Sequence, residues 1–174
     1  MSASSVKEAP LPENALLQRF VESGDYTDCF VTRVDTDVSF KAYVEAFYTT
    51  GVFKTERALL KWLVQRPSTD EQARALANNE IDDFAAWRVL ERADNQIMLM
   101  DMHGRTCSWL MVAPDESGSL LYFGSAIVRS EKTSSGRRMG WVYRLLLGFH
   151  LLYSRVLLRA ARVAVVESVH QRSR

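Results

Sequence analysis

The sequence predicts an α+β domain in which a run of antiparallel strands is followed by one long amphipathic helix, and three observations carry that prediction. Apolar-rich runs at 84–91, 96–102, 106–112 and 120–128 are separated by the turn formers Asp94-Asn95, His103-Gly104 and Pro114-Asp115-Glu116-Ser117-Gly118. Connections this short join antiparallel neighbours. Residues 140–166 keep a helical apolar period, with no helix breaker after Gly140 except Gly148. Upstream, Tyr26, Asp28, Phe30, Thr32 and Val34 alternate with Cys29 and Val31, after which the period changes from two to that of a helix.

Taken in order, residues 1–24 form an arm containing Pro10 and Pro12 and a short helical turn that Asn14 can cap and Gly24 ends. Residues 25–168 make the single domain, and 169–174 are a tail. After the strand at 26–34, Asp37 or Ser39 caps a helix whose apolar face is Phe40, Tyr43, Val44 and Phe47, and Gly51 ends it. A second helix carries Leu59, Leu60, Trp62 and Leu63 up to Pro67. Ser68 and Glu71 have capping-box spacing, which predicts a third short helix through Ala73, Leu76 and Ala77. If His103-Gly104 is a two-residue hairpin loop, Met100 faces Cys107 and Met98 faces Trp109. Met98, Met100, Cys107, Trp109 and Met111 then share one face of the sheet, opposite Ile97, Leu99 and Leu110. Residues 129–138 read as a loop delivering the chain to the last helix.

In that helix Val142, Leu146, Phe149, Tyr153, Leu157, Ala160 and Ala164 fall on one side. Arg144, Arg155, Arg159 and Arg162 lie within about 60° of one another on the other. Its 27 residues reach roughly 40 Å, the length of a small domain. The charge-free run 145–154 falls short of the roughly 20 apolar residues that a bilayer span requires.

Composition narrows the class. A chain of 174 residues suits one domain burying about 70% of its unfolded surface, and 47% hydrophobic with 25% charged residues excludes disordered and fibrous classes. Cys29 and Cys107 are too few for a disulfide framework or a cysteine-rich zinc site, so reduced, buried thiols are expected. No signal-like basic start and apolar run opens the chain, and a cytoplasmic location is the expectation. Charge is uneven: from Arg129 onward ten Lys or Arg stand against Glu131 and Glu167, a net of +8, leaving −7 on residues 1–128. Such asymmetry attracts anionic lipid or nucleic acid, or serves only solubility and contact within the fold.

The order of strand, helices, antiparallel strands and closing helix resembles the START-like (SRPBCC) helix-grip superfamily. More specifically, Gly140, Tyr143, Phe149-His150, Arg155, Leu158 and Arg159 resemble the C-terminal pattern of an uncharacterised bacterial family near that superfamily. In that pattern Pro stands where this chain has Gly148. The resemblance implies a helix-grip fold, with a curved sheet wrapped around the C-terminal helix and enclosing a cavity. It implies no activity.

The site residues expected to line such a cavity are Met98, Met100, Trp109, Met111, Tyr122, Phe149, His150 and Tyr153. Flexible, polarizable methionines beside an indole suit an adaptable apolar surface, and the same residues would serve equally as plain core. The expected partner is therefore a small hydrophobic or amphipathic molecule. His150, one turn from Tyr153, offers an acid/base group for a cyclase or isomerase chemistry, the alternative reading. The arginine stripe offers a third, a peripheral membrane or partner-binding module with weak membrane contact. His103 and Asp101 sit too close together at a hairpin tip to be a convincing dyad, and no ligand spacing for a metal occurs. Dinucleotide, P-loop, zincin and hydrolase motifs are absent from the sequence, so no cofactor is expected. No nucleic-acid partner is expected either, because Phe149 and Tyr153 fall on the side predicted to be buried.

Overall fold

The strand at 26–34 forms as its alternation predicts, but its main partner lies at the far end of the sheet-forming sequence. The computed structural model describes residues 5–51, 69–128 and 154–168. In chain order its elements are β1 (Lys7–Glu8), α1 (Gln18–Glu22), β2 (Tyr26–Val34), α2 (Phe40–Thr49) and α3 (Asp70–Ala77). There follow β3 (Asp83–Phe84), β4 (Trp87–Ala93), β5 (Gln96–Asp101), β6 (Thr106–Asp115) and β7 (Gly118–Ile127). A further helical segment spans 154–168. The strands form one antiparallel sheet in the order β1-β2-β7-β6-β5-β4-β3. The protein is thus α+β, with a seven-stranded antiparallel sheet and a C-terminal helix.

Local sequence sets the element ends. Ser39 caps α2, its hydroxyl accepting from the Ala42 amide at 3.2 Å, and Tyr43, Val44, Ala46, Phe47 and Tyr48 are buried along it. The capping box of α3 sits one residue beyond the predicted one. Thr69 accepts from the Gln72 amide at 3.2 Å, and the Gln72 side chain accepts from the Thr69 amide at 3.0 Å. Thr at the cap and Gln three residues on satisfy two otherwise orphaned amides, which Ser68 with Glu71 would have done equally well. The predicted strand 84–91 is split: Phe84 pairs with Trp87 across a tight turn in which Ala85 takes φ 53°. The 114–118 loop shrinks in turn, because Asp115 pairs with Gly118 and only two residues lie outside the strands. Pro114 fits within β6 because β5 starts opposite Met111 and so leaves that side of Pro114 without a ladder partner.

Two apolar layers cover the two faces of the sheet. On one, Phe30, Ile97, Leu99, Leu110, Leu121 and Phe123 pack with α2, α3 and the C-terminal segment through Tyr43, Phe47, Leu76, Leu157, Leu158 and Val165. On the other, Cys29, Met98, Cys107, Trp109 and Met111 pack with the N-terminal segment through Ala15, Leu17 and Phe20. A bulge between Val89 and Glu91 leaves Leu90 as the extra residue, 44% exposed, and returns Glu91 and Arg92 to the faces their neighbours require.

The predicted positions Val142, Leu146, Phe149 and Tyr153, with Arg144, lie outside the described residues, as do the helix carrying Leu59 to Leu63 and the 129–138 loop. Within 154–168 the buried side is Ser154, Leu157, Leu158, Ala161 and Val165, while Ala160 and Ala164 are only partly covered. The helix is therefore rotated by about a quarter turn from the predicted face. Its arginines explain the rotation. Arg155 lies 3.7 Å from Glu8 of β1 with its guanidinium 5.4 Å from the Phe30 ring centre, and Arg162 donates to the Arg33 carbonyl at 3.1 Å. Seven helical residues rise about 10.5 Å, close to the roughly 10 Å spanned by Phe30 to Arg33, so the helix runs alongside β2 in the same direction. Leu158→Ala should cost about 2–5 kcal/mol in denaturant unfolding, against under about 0.5 kcal/mol for Val156→Ala. Equal losses would mean the helix faces another way.

Candidate functional site

The hairpin register predicted from His103-Gly104 is the observed one, with Met98 opposite Trp109 and Met100 opposite Cys107. Pairing to β7 adds Gly124 opposite Trp109 and Tyr122 opposite Met111. Five expected site residues, Met98, Met100, Trp109, Met111 and Tyr122, therefore do come together on one face. The Trp109 and Tyr122 ring centres are 6.2 Å apart. Phe149, His150 and Tyr153 lie outside the described residues.

That face, however, does not look toward the C-terminal segment. Alternation places it on the opposite side of the sheet from Phe30, Leu99, Leu110 and Leu158, and the N-terminal segment covers it. Met98 and Trp109 are fully buried there, so they form packed core under a strap rather than the wall of a space beneath the last helix. Gln96 fastens the strap. Its Oε1 accepts from the Leu16 amide at 3.0 Å and from Trp109 Nε1 at 2.8 Å, while its Nε2 donates to the Asn14 carbonyl at 2.9 Å. Arg19 of α1 adds an exposed pair with Glu91 at 2.8 Å. Gly124 lets the strap approach: a Cβ there would stand 3.0 Å from both Leu17 Cδ2 and Trp109 Cε3 and 2.7 Å from the Asp28 carbonyl. Gln96 was open to sequence reasoning as the one polar side chain heading the apolar run Ile97 to Met100. Its partners in the arm were not.

The helix-facing surface has a different character. Strand pairing aligns Asp28, Ser125, Ser108 and Leu99 in one row and Phe30, Phe123, Leu110 and Ile97 in the next. Asp28 is only 7% exposed, and its Oδ1 accepts from both the Ser125 amide at 3.0 Å and the Ser125 hydroxyl at 2.8 Å. Thr32, four residues on, is 2% exposed, and its hydroxyl has no hydrogen-bond partner among the described residues. A carboxylate and a hydroxyl in an apolar surface are costly to desolvate, so their placement calls for a reason beyond packing. The signal was present in the alternation at 26–34, which sets Asp28 and Thr32 on the same side as Phe30 and Val34.

Other polar groups have structural duties. Asp101 Oδ1 accepts from the Arg105 amide at 2.6 Å and the Thr106 amide at 3.1 Å, anchoring the hairpin, while His103 is exposed with Nδ1 3.9 Å from Asp101 Oδ2. A surface groove of about 860 Å³ is lined by Phe40, Lys41, Asn78, Glu80, Arg92 and Asp94 among others. Arg92 is spent on the end of α3, donating to the Leu76 and Ile81 carbonyls at 3.2 and 2.7 Å and to Asn79 Oδ1 at 2.7 Å. Among the described residues no group of three His, Cys, Asp or Glu could hold a metal ion, and no helix is long and apolar enough to cross a membrane.

Burial pushes both thiols up to about 12, with the nearby Asp28 carboxylate adding to the effect at Cys29. Thiolates are the reactive form, so neither cysteine is a nucleophile at neutral pH. An unfolded thiol ionises near about 8.5, so above that pH the unfolded chain releases protons that the native chain retains. Stability is therefore expected to fall between about pH 9 and the native value of about 12, and less steeply in Cys29→Ala and Cys107→Ala. Unfolding curves across that range provide the check. Gly124→Val should cost at least about 1–3 kcal/mol, because the added carbons meet backbone as well as Leu17 and Trp109. A fully stable variant would mean that the strap is loosely placed.

No protein-family model matches this sequence, and no curated protein is significantly similar to it. Among solved structures the chain is similar to CalU16 from Micromonospora echinospora, with 12% identity over 94% of this chain and 93% of that one. The TM-score of 0.32 is too low for that likeness to carry an argument about fold or function.

Proposed function

We propose that this chain is a helix-grip protein, related to the START-like superfamily and to the uncharacterised family its C-terminal residues resemble. In this reading it binds a small apolar or amphipathic molecule between its sheet and its C-terminal helix. The observation that carries the reading is the Thr32 hydroxyl, buried without a partner among the described residues and surrounded by Phe30, Val34, Leu121 and Phe123. Binding sites for such ligands combine mainly apolar walls with a few fixed polar groups that orient the molecule. Thr32 together with the Asp28, Ser125 and Ser108 row supplies that combination on the side where the last helix packs. The Thr32 hydroxyl can donate or accept, which favours a ligand whose polar end carries a hydroxyl or a carbonyl.

Support also comes from the order of elements, with a continuous antiparallel sheet followed by a helix laid along β2. The Met98 and Trp109 face belongs to the opposite side and is not assigned to the ligand. Native mass spectrometry of freshly purified protein should find a co-purifying small molecule. Thr32→Val keeps the shape and removes the hydroxyl, so it should lower ligand retention while leaving thermal stability equal or higher. Met111→Leu, on the other face, should leave retention unchanged. An unliganded spectrum, with no thermal shift from apolar probes, would sink the reading.

A further inference from the structure

We propose that the outward face of the 154–168 helix is a self-association surface, on which two copies of this chain pack their helices antiparallel about Val163. The face lies opposite the buried stripe and consists of Val156, Arg159, Ala160, Val163 and Glu167, all within about 100° of the helix circumference. Val156 and Val163 are 43% and 47% exposed, seven residues apart and so on one line. Helices that pack only inward place polar residues at such positions. Here two valines and an alanine occupy them.

The charges on the face are self-complementary. Arg159 precedes Val163 by four residues and Glu167 follows it by four, and both are exposed. A two-fold axis at Val163 brings Arg159 of each copy onto Glu167 of the other, with Val163 meeting Val163. A parallel pair would instead set like charges side by side. Two-fold contacts of this isologous kind are the commonest in homo-oligomers. Ala160, with its short side chain, lets the axes approach at the 8–10 Å typical of packed helices.

A lipid surface fits this face less well. Of the arginines in the 154–168 segment, Arg155 and Arg162 are drawn to Glu8 and the Arg33 carbonyl at the sheet edge, which leaves Arg159 balanced by Glu167. The face is electrically neutral rather than basic. The described 15 residues of the helix span about 22 Å, and one face of that span covers less than the roughly 800 Å² per partner of a standard stable complex. The association is accordingly weak, with a dissociation constant on the order of 10–1,000 µM.

Sedimentation equilibrium over about 5–500 µM tests the proposal. The wild-type chain should rise toward the mass of two chains. Arg159→Glu alone and Glu167→Arg alone should each stay at the mass of one chain, because each sets two like-charge pairs across the axis. Mixed one to one, the two variants should associate at least as tightly as the wild type, since every pair is then complementary. That rescue also requires both variants to be folded. A wild-type chain monomeric throughout, association insensitive to either reversal, or variants that fail to rescue one another would each overturn it. Recruitment to phosphatidylserine vesicles without self-association would assign the face to a membrane and overturn it too.

Discussion

The pairing of β2 with β7 is the constraint on which the rest of the structure depends. Nine residues align without a break, from Tyr26 opposite Ile127 to Val34 opposite Ser119, joining the first long strand to the last. Everything between them in sequence must leave β2, next to one edge of the sheet, and return from the opposite edge. α2 and α3 therefore cross one face on the way to β3, and the hairpins β3 to β7 walk back strand by strand. A contact closed over so much chain costs more loop entropy than any hairpin, and it slows folding of sheets that rely on it. What offsets that cost is burial: Phe30 against Phe123 and Cys29 against Gly124 place apolar or vacant positions on both faces of the same seam.

The seam also distributes polar groups to the two sides. Toward the helices it carries Asp28, Thr32, Ser119 and Ser125, all buried. Ser119 is explained locally, since its hydroxyl accepts from the Val38 amide at 2.9 Å and so holds the start of the connection to α2. Asp28 and Ser125 are bonded to one another across the strands, and the Thr32 hydroxyl has no partner among the described residues. Toward the strap the seam offers Gly124, whose missing side chain is filled by Trp109 and Leu17. One strand pair thus sets both a tightly filled layer and a layer with polar groups beyond those packing requires.

The strap and the C-terminal helix use the same economy of polar contacts to hold apolar cover in place. On one face Gln96 joins the arm to the Trp109 indole. On the other, Arg155 and Arg162 reach past the helix flank to Glu8 and the Arg33 carbonyl. Exposed ion pairs of this sort add little stability, but they select one rotation of a helix whose apolar residues would tolerate several. The quarter-turn difference from the periodic face is that selection, and it is what turns Val156 and Val163 outward.

The sequence alone determined what short-range chemistry determines: the strand at 26–34, a helix cap at Asp37 or Ser39, the apolar face of α2, three hairpins and the Met98 to Trp109 register. Turn residues and period decide these within a few positions, which is also why Thr69 could displace Ser68 as a cap and Ala85 could split a strand without warning. The sequence likewise gathered Met98, Met100, Cys107, Trp109 and Met111 on one face, to which strand pairing with β7 added Tyr122. Only the tertiary structure decided which layer covers that face, because alternation separates two sides without naming what packs on either. The answer depended on the arm at 9–20 crossing to Gln96, a hydrogen bond eighty residues apart, and on β7 returning to β2. It moved the methionine face out of the expected site and left Asp28 and Thr32 facing the helix in its place.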